Sequence, residues 1–173
     1  MSQDEQEKPG HAPAHSGGCQ CGAVRFSISG ALGRASICHC RMCQKAFGAF
    51  YAPLVAVGDA ELTWTRGALK HFQSSNLVKR GFCADCGTPL TYEAPVGGVA
   101  LAIGAFDHPE LIKPTIQYGT EARIDWLSDL DGLSSCRTDE DEDEGVQELM
   151  SSLHSLQHPD HDTAAWPLKD EQE

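Results

Sequence analysis

The chain has 173 residues, enough for one domain with a core of its own, and a formal net charge of −12. The charge is uneven: residues 16–136 carry ten acidic and ten basic side chains, whereas residues 137–173 carry twelve acids against two bases. Direct nucleic-acid binding is excluded by the lack of a basic patch to displace phosphate counterions, and a membrane span by the lack of any apolar run near the roughly 20 residues it requires.

Residues 1–15 are polar and read as a flexible N-terminal tail. They hold no apolar stretch behind a basic start, so the expectation is no secretory leader, a reducing cytoplasmic setting, and free thiols rather than disulfides. The main domain is expected over 16–135. Val24 to Ile28 alternates apolar and polar residues, as do Leu62 to Thr65 and Leu90 to Tyr92, which predicts half-buried strands. Ala52 to Val57 and Val99 to Ile103 are more continuously apolar and predict strands covered on both faces. Glycines between these runs leave room only for short helices, of which Arg41 to Phe47 is the best candidate. Pro109 in His108-Pro109-Glu110-Leu111 marks one further turn at its start. Trp64 and Phe72 are expected in the core and Trp126 at the domain's closing end. Phe47, Phe50 and Tyr51 read as core aromatics, with walling a pocket as the second use.

Seven of the eight cysteines fall into three clusters, Cys19/Cys21, Cys38/Cys40/Cys43 and Cys83/Cys86. Thiolates crowded in this way favour zinc, held by four sulfurs at about 2.3 Å in a closed structural site. Cys83/Cys86 at CxxC spacing, released by Gly87, makes one half of such a site and Cys19/Cys21 the other. The middle cluster is spaced too tightly for two half-sites and most simply wraps a second zinc with three sulfurs, leaving an open position of the catalytic kind. A helical turn starting there would aim backbone N–H groups at those thiolates. A thioredoxin-like redox pair fits less well, because that CxxC precedes a helix in a βαβ unit. Cys136 stands alone and reads as a bystander.

The last part, 136–173, reads as an acidic extension. Asp139 to Glu144 is an unbroken acidic block that self-repels and is expected to stay solvated. Beyond it, Val146, Leu149, Met150, Leu153 and Leu156 recur at helical intervals and predict a short amphipathic helix over 146–156. His154, His158 and His161 have ligand-like spacing, but in a polar segment interrupted by Pro159 they read as ordinary tail residues.

Three segments together, Gly17-Gly18-Cys19-Gln20-Cys21-Gly22-Ala23-Val24-Arg25-Phe26, Cys38-His39-Cys40-Arg41-Met42-Cys43 and Gly81-Phe82-Cys83-Ala84-Asp85-Cys86-Gly87-Thr88-Pro89-Leu90, resemble the glutathione-dependent formaldehyde-activating enzyme family, whose domain also occurs in centromere protein V. The resemblance runs from about Gly17 to Trp126. It implies a mainly β, Mss4-like fold of twisted antiparallel sheets with zinc sites and few short helices. It also implies a structural zinc at Cys19, Cys21, Cys83 and Cys86, and a second zinc at Cys38, Cys40 and Cys43 where glutathione and formaldehyde are handled. Members often carry a His upstream of the late Trp where this chain has Gln117, a change that bears on substrate identity.

The leading functional expectation is a zinc-dependent carbon–sulfur lyase or synthase acting on a small thiol adduct, with a thiol such as glutathione as partner and two zinc ions per chain. Arg41 and Lys45 are candidates to balance a substrate carboxylate, or else plain surface cations. The alternative is a non-catalytic zinc-stabilised module whose second site is structural or senses thiols.

Overall fold

The computed structural model describes residues 15–138 and 143–167. In chain order its strands are β1 (His15–Gly18), β2 (Arg25–Ser29), β3 (Ala35–Cys38), β4 (Ala52–Ala56), β5 (Glu61–Arg66), β6 (Lys70–Gln73), β7 (Lys79–Phe82), β8 (Pro89–Ala94), β9 (Gly98–Ala102) and β10 (Ile116–Tyr118). Helix α1 (Arg41–Phe47) follows β3, and α2 (Glu144–Ser152) lies beyond the sheets. The class is mainly β with few short helices, as the alternation predicts. No helix among the described residues is long and apolar enough to cross a membrane.

β1, β2 and β5 form an antiparallel three-stranded sheet, and the other seven strands run in the order β10-β3-β4-β9-β8-β7-β6. That larger sheet departs from the antiparallel expectation at one edge, where β10 pairs parallel to β3. A parallel neighbour needs a long crossover, and here the whole chain between β3 and β10 serves as one.

The two sheets share a core. Phe26 and Ile28 of β2 meet Val55 of β4, Leu90 of β8 and Leu101 of β9, all at most 1 % exposed. Burying each such side chain stabilises the fold by about 1.5–3 kcal/mol. Phe26 also takes edge-on contacts from Phe106 at 5.1 Å and Trp64 at 5.8 Å. Because side chains alternate across a strand, the neighbours of Val55 and Leu101 point to the sheet's other face. Tyr118 pairs with Cys38, Ser36 with Leu54, Ala56 with Ala100, Ala100 with Tyr92, and Tyr92 with Arg80. That row becomes the floor of the pocket described below.

Some expectations fail for identifiable reasons. Phe72 lies in edge strand β6, where every residue is exposed, and is itself 45 % exposed. Phe50, expected in the core, is 47 % exposed and meets the equally exposed Trp126 edge-on at 4.8 Å. The helix predicted over 146–156 starts two residues earlier, because the Asp143 carboxylate accepts from the backbone N–H groups of Gly145 and Val146. It stops at Ser152, after Ser151 and Ser152 turn their hydroxyls onto the carbonyls of Glu148 and Leu149. None of its side chains is buried. The remainder of the acidic block, 139–142, and the tail 1–14 lie outside the described residues.

Residues 157–166 of the C-terminal extension return to the β1–β2 turn, where the Arg25 guanidinium bridges Asp162 at 2.8 Å and the buried Asp107 at 2.6 Å. Arg66 donates to the carbonyl of Thr163 at 2.6 Å. The buried Arg25–Asp107 pair, reinforced by the Ser16 hydroxyl at 2.5 Å, ties β1 and β2 to the turn after β9.

Candidate metal centres

The first cysteine group joins two tight turns distant in sequence. Cys19 and Cys21 sit between β1 and β2, and Cys83 and Cys86 between β7 and β8. The second turn is closed by Cys83 N–H donating to the Thr88 carbonyl and Gly87 N–H donating to the Cys83 carbonyl, both at 3.0 Å. The sulfurs of Cys19 and Cys21 lie 3.6 Å apart and those of Cys21 and Cys83 3.9 Å apart. A tetrahedral zinc with 2.3 Å bonds separates its sulfurs by about 3.8 Å, whereas a disulfide needs about 2.05 Å. The four sulfurs, all within 4.8 Å of one another, fit a zinc ion.

Burial pushes the Cys19 thiol up to about 12. Burial also acts against Cys86, but hydrogen bonding from Thr88 and from the Cys21 backbone outweighs it and holds this thiol near 6. The returning segment covers the turn. His158 N–H donates to the Gln20 carbonyl and the Trp166 indole N–H to the Cys21 carbonyl, each at 2.7 Å. Gly22, at φ +77°, lets the His158 ring approach, since a Cβ there would stand 2.2 Å from it. His158 is thus a buried structural residue and no part of the metal-ligand set.

The second group is local. Cys38 ends β3, Cys40 caps α1 and Cys43 lies in the helix's first turn, with all three sulfurs within 4.8 Å of one another. Cys40 Sγ accepts from Cys43 N–H at 3.4 Å, and Cys38 and Cys40 sulfurs are 3.6 Å apart, again a tetrahedral edge. Burial raises Cys38 to about 12. Cys40 is lowered despite burial, chiefly through the Cys43 backbone and side chain. Gly119, at φ +63°, lets β10's exit pass this loop; a Cβ there would come within 2.7 Å of the Cys40 nitrogen.

Beside these three sulfurs lies a pocket of about 380 Å³ on the outer face of the seven-stranded sheet. Sequence reasoning missed its most telling residue, Arg80 of β7. This guanidinium is 3 % exposed, stacks over the Tyr92 ring at 4.9 Å, and donates from Nη2 to Cys43 Sγ at 3.2 Å and from Nε to the Ser74 hydroxyl at 3.0 Å. Its Nη1 is buried with no partner among the described residues. Burial raises the Cys43 thiol, and Arg80 works against that rise. The cations expected from sequence play no such part: Arg41 and Lys45 are exposed, Arg41 bonds Gln44 at 2.6 Å, and neither lines the pocket. Gln117 is also outside it. Its amide oxygen bonds His39 Nε2 at 2.8 Å on the other side of β10, while the adjacent Tyr118 lines the pocket. Cys136 is exposed and belongs to neither group.

The sequence model described as "Glutathione-dependent formaldehyde-activating enzyme" matches residues 14–122, more than half of the chain. No curated protein matches significantly. Among solved structures, the chain is similar to a Rhodobacter sphaeroides protein determined by structural genomics, at 23 % identity and a TM-score of 0.45, over 59 % of this chain and 98 % of that one.

Proposed function

This chain belongs to the glutathione-dependent formaldehyde-activating enzyme family, and on that basis we propose that it is a zinc-dependent carbon–sulfur lyase or synthase acting on a small thiol adduct. Cys19, Cys21, Cys83 and Cys86 then hold a structural zinc, and Cys38, Cys40 and Cys43 a second zinc with one open position. The observation that carries this reading is three sulfurs in ligand geometry, with no fourth cysteine, histidine or carboxylate grouped with them among the described residues, opening on a pocket of about 380 Å³.

A zinc ion at that position supplies one thing, acidification of a thiol that enters the site. The chain's own residues do the rest. Arg80 fixes Cys43 through Nη2 while Tyr92 and Ser74 fix Arg80, so the loop is braced from the sheet. Leu54, Val78 and Ala100 give the pocket apolar walls beside the three sulfurs. The net reaction adds S–H across a C=O bond: sulfur bonds to the carbonyl carbon, the thiol proton ends on the oxygen, and no electrons leave or enter. Glutathione and formaldehyde would give S-(hydroxymethyl)glutathione in this way. The alternative is a non-catalytic zinc-stabilised module whose second site is structural or senses thiols; its closed form needs a fourth donor, and Cys136 bonds the Arg137 carbonyl.

Magnetisation-exchange NMR on glutathione and labelled formaldehyde tests the proposal. The zinc-loaded protein is expected to accelerate adduct exchange and Cys43→Ser to abolish it, with the melting transition within a few degrees of the parent's. No acceleration together with no thiol binding would overturn the enzymatic reading, and global unfolding of Cys43→Ser would overturn the division into structural and working sites.

A further inference from the structure

The pocket's lining carries more chemistry than the family reaction requires. It has two cations and no acidic residue: Arg80 at the cysteine end, and Arg34, just before β3, at the other. Between them the surface is apolar, from Leu54, Ala56, Val78 and Ala100, and Met42, Val96 and Tyr118 stand exposed at its rim by 48 %, 90 % and 46 %. Such exposure of large apolar side chains around one concavity marks a binding site for an apolar ligand. Arg34 is exposed and donates to the Tyr118 hydroxyl at 3.3 Å, a weak bond that leaves most of its donors free to a ligand.

We propose that this pocket selects a thiol with an apolar body and a single terminal anionic group, the sulfur lying at Cys38, Cys40 and Cys43 and the anion at Arg34. The inference rests on the functional reading above and sharpens its substrate. Glutathione carries an ammonium group as well as two carboxylates, and an ammonium in this pocket would face two guanidiniums with no carboxylate to receive it. A fatty or aromatic mercapto acid has no such unmatched charge. The strand sets its length. Arg34 and Cys38 are four residues apart along an extended chain, about 13 Å at roughly 3.3 Å per residue, which suits a chain of about eight carbons once the arginine side chain leans inward.

Isothermal titration into zinc-loaded protein tests this with three probes: ω-mercaptooctanoate, its methyl ester, and reduced glutathione. The acid is expected to bind about tenfold tighter than either of the others, the loss expected for one charge-assisted hydrogen bond. Arg34→Gln, a change at an exposed side chain, is expected to bring acid and ester to the same affinity and leave zinc content and melting temperature unchanged. Equal affinity of acid and ester for the parent protein, or tighter binding of glutathione, would overturn the proposed substrate class while leaving the enzymatic reading standing. Failure of all three thiols to bind would overturn both.

Discussion

The two cysteine groups differ in how the chain builds them. The four-cysteine group draws on two turns more than 60 residues apart, and its β1–β2 turn is covered by His158 and Trp166 from still further along. The three-cysteine group comes from one six-residue stretch, lies beside a pocket, and meets a buried guanidinium at 3.2 Å. A metal at the first site cross-links the two sheets; a metal at the second leaves them joined as before. On the proposed function, long-range ligation would serve the fold and local ligation would leave room for an external ligand.

Removing one sulfur from the cross-link is the largest break in this contrast. Cys83→Ser is expected to lose cooperative melting altogether, since structural zinc sites contribute on the order of 10 kcal/mol, comparable with the whole stability of a domain. Circular dichroism on heating checks this, and a Cys83→Ser protein that melts near the parent would remove the distinction between the two groups.

Next is the buried ion pair behind the first site. Asp107→Asn leaves Arg25 with the half-exposed Asp162 as its remaining carboxylate and is expected to cost about 3–5 kcal/mol by denaturant titration. A loss below about 1 kcal/mol would show that Asp162 and water suffice for Arg25.

The smallest effect concerns the returning segment. Burial holds His158 below the ordinary histidine range, with Arg25 and Arg66 acting in the same sense and Asp107 against them. Undocked, this imidazole titrates at about 6.5. The undocked segment therefore binds the proton more readily, so docking is at full strength above that value and weakens as pH falls through it toward the lower docked value. Hydrogen exchange at residues 157–166 is expected to quicken from pH 7.5 to 5.5 while the core amides keep their protection, and His158→Gln should flatten the profile. Trp166→Ala, which removes one indole hydrogen bond, is expected to cost about 1 kcal/mol of docking at any pH.

Much was legible from local pattern. Period-two alternation placed β2, β5 and β8, and helix-forming residues between Cys40 and Gly48 placed α1 to the residue. The grouping of the cysteines followed from their spacing, because ligand pairs within one turn depend on few backbone angles. Five of the strands, β1, β3, β6, β7 and β10, were not delimited. They are three or four residues long, and β6 is exposed throughout, so none carries enough alternation to register.

The sequence by itself determined that seven cysteines fall into clusters able to hold a metal and that the fold is strand-rich, since cysteine spacing and alternation act over a few residues. Only the tertiary structure decided what surrounds them. Arg80 reaches Cys43 across 37 positions because β7 lies beside β8 on the pocket face, and Tyr118 joins Arg34 across 84 because β10 pairs in parallel with β3. Asp162 reaches Arg25 across 137 through a backbone path that no local preference encodes. Such contacts arise from sheet order and chain return, which depend on the packing of the whole chain.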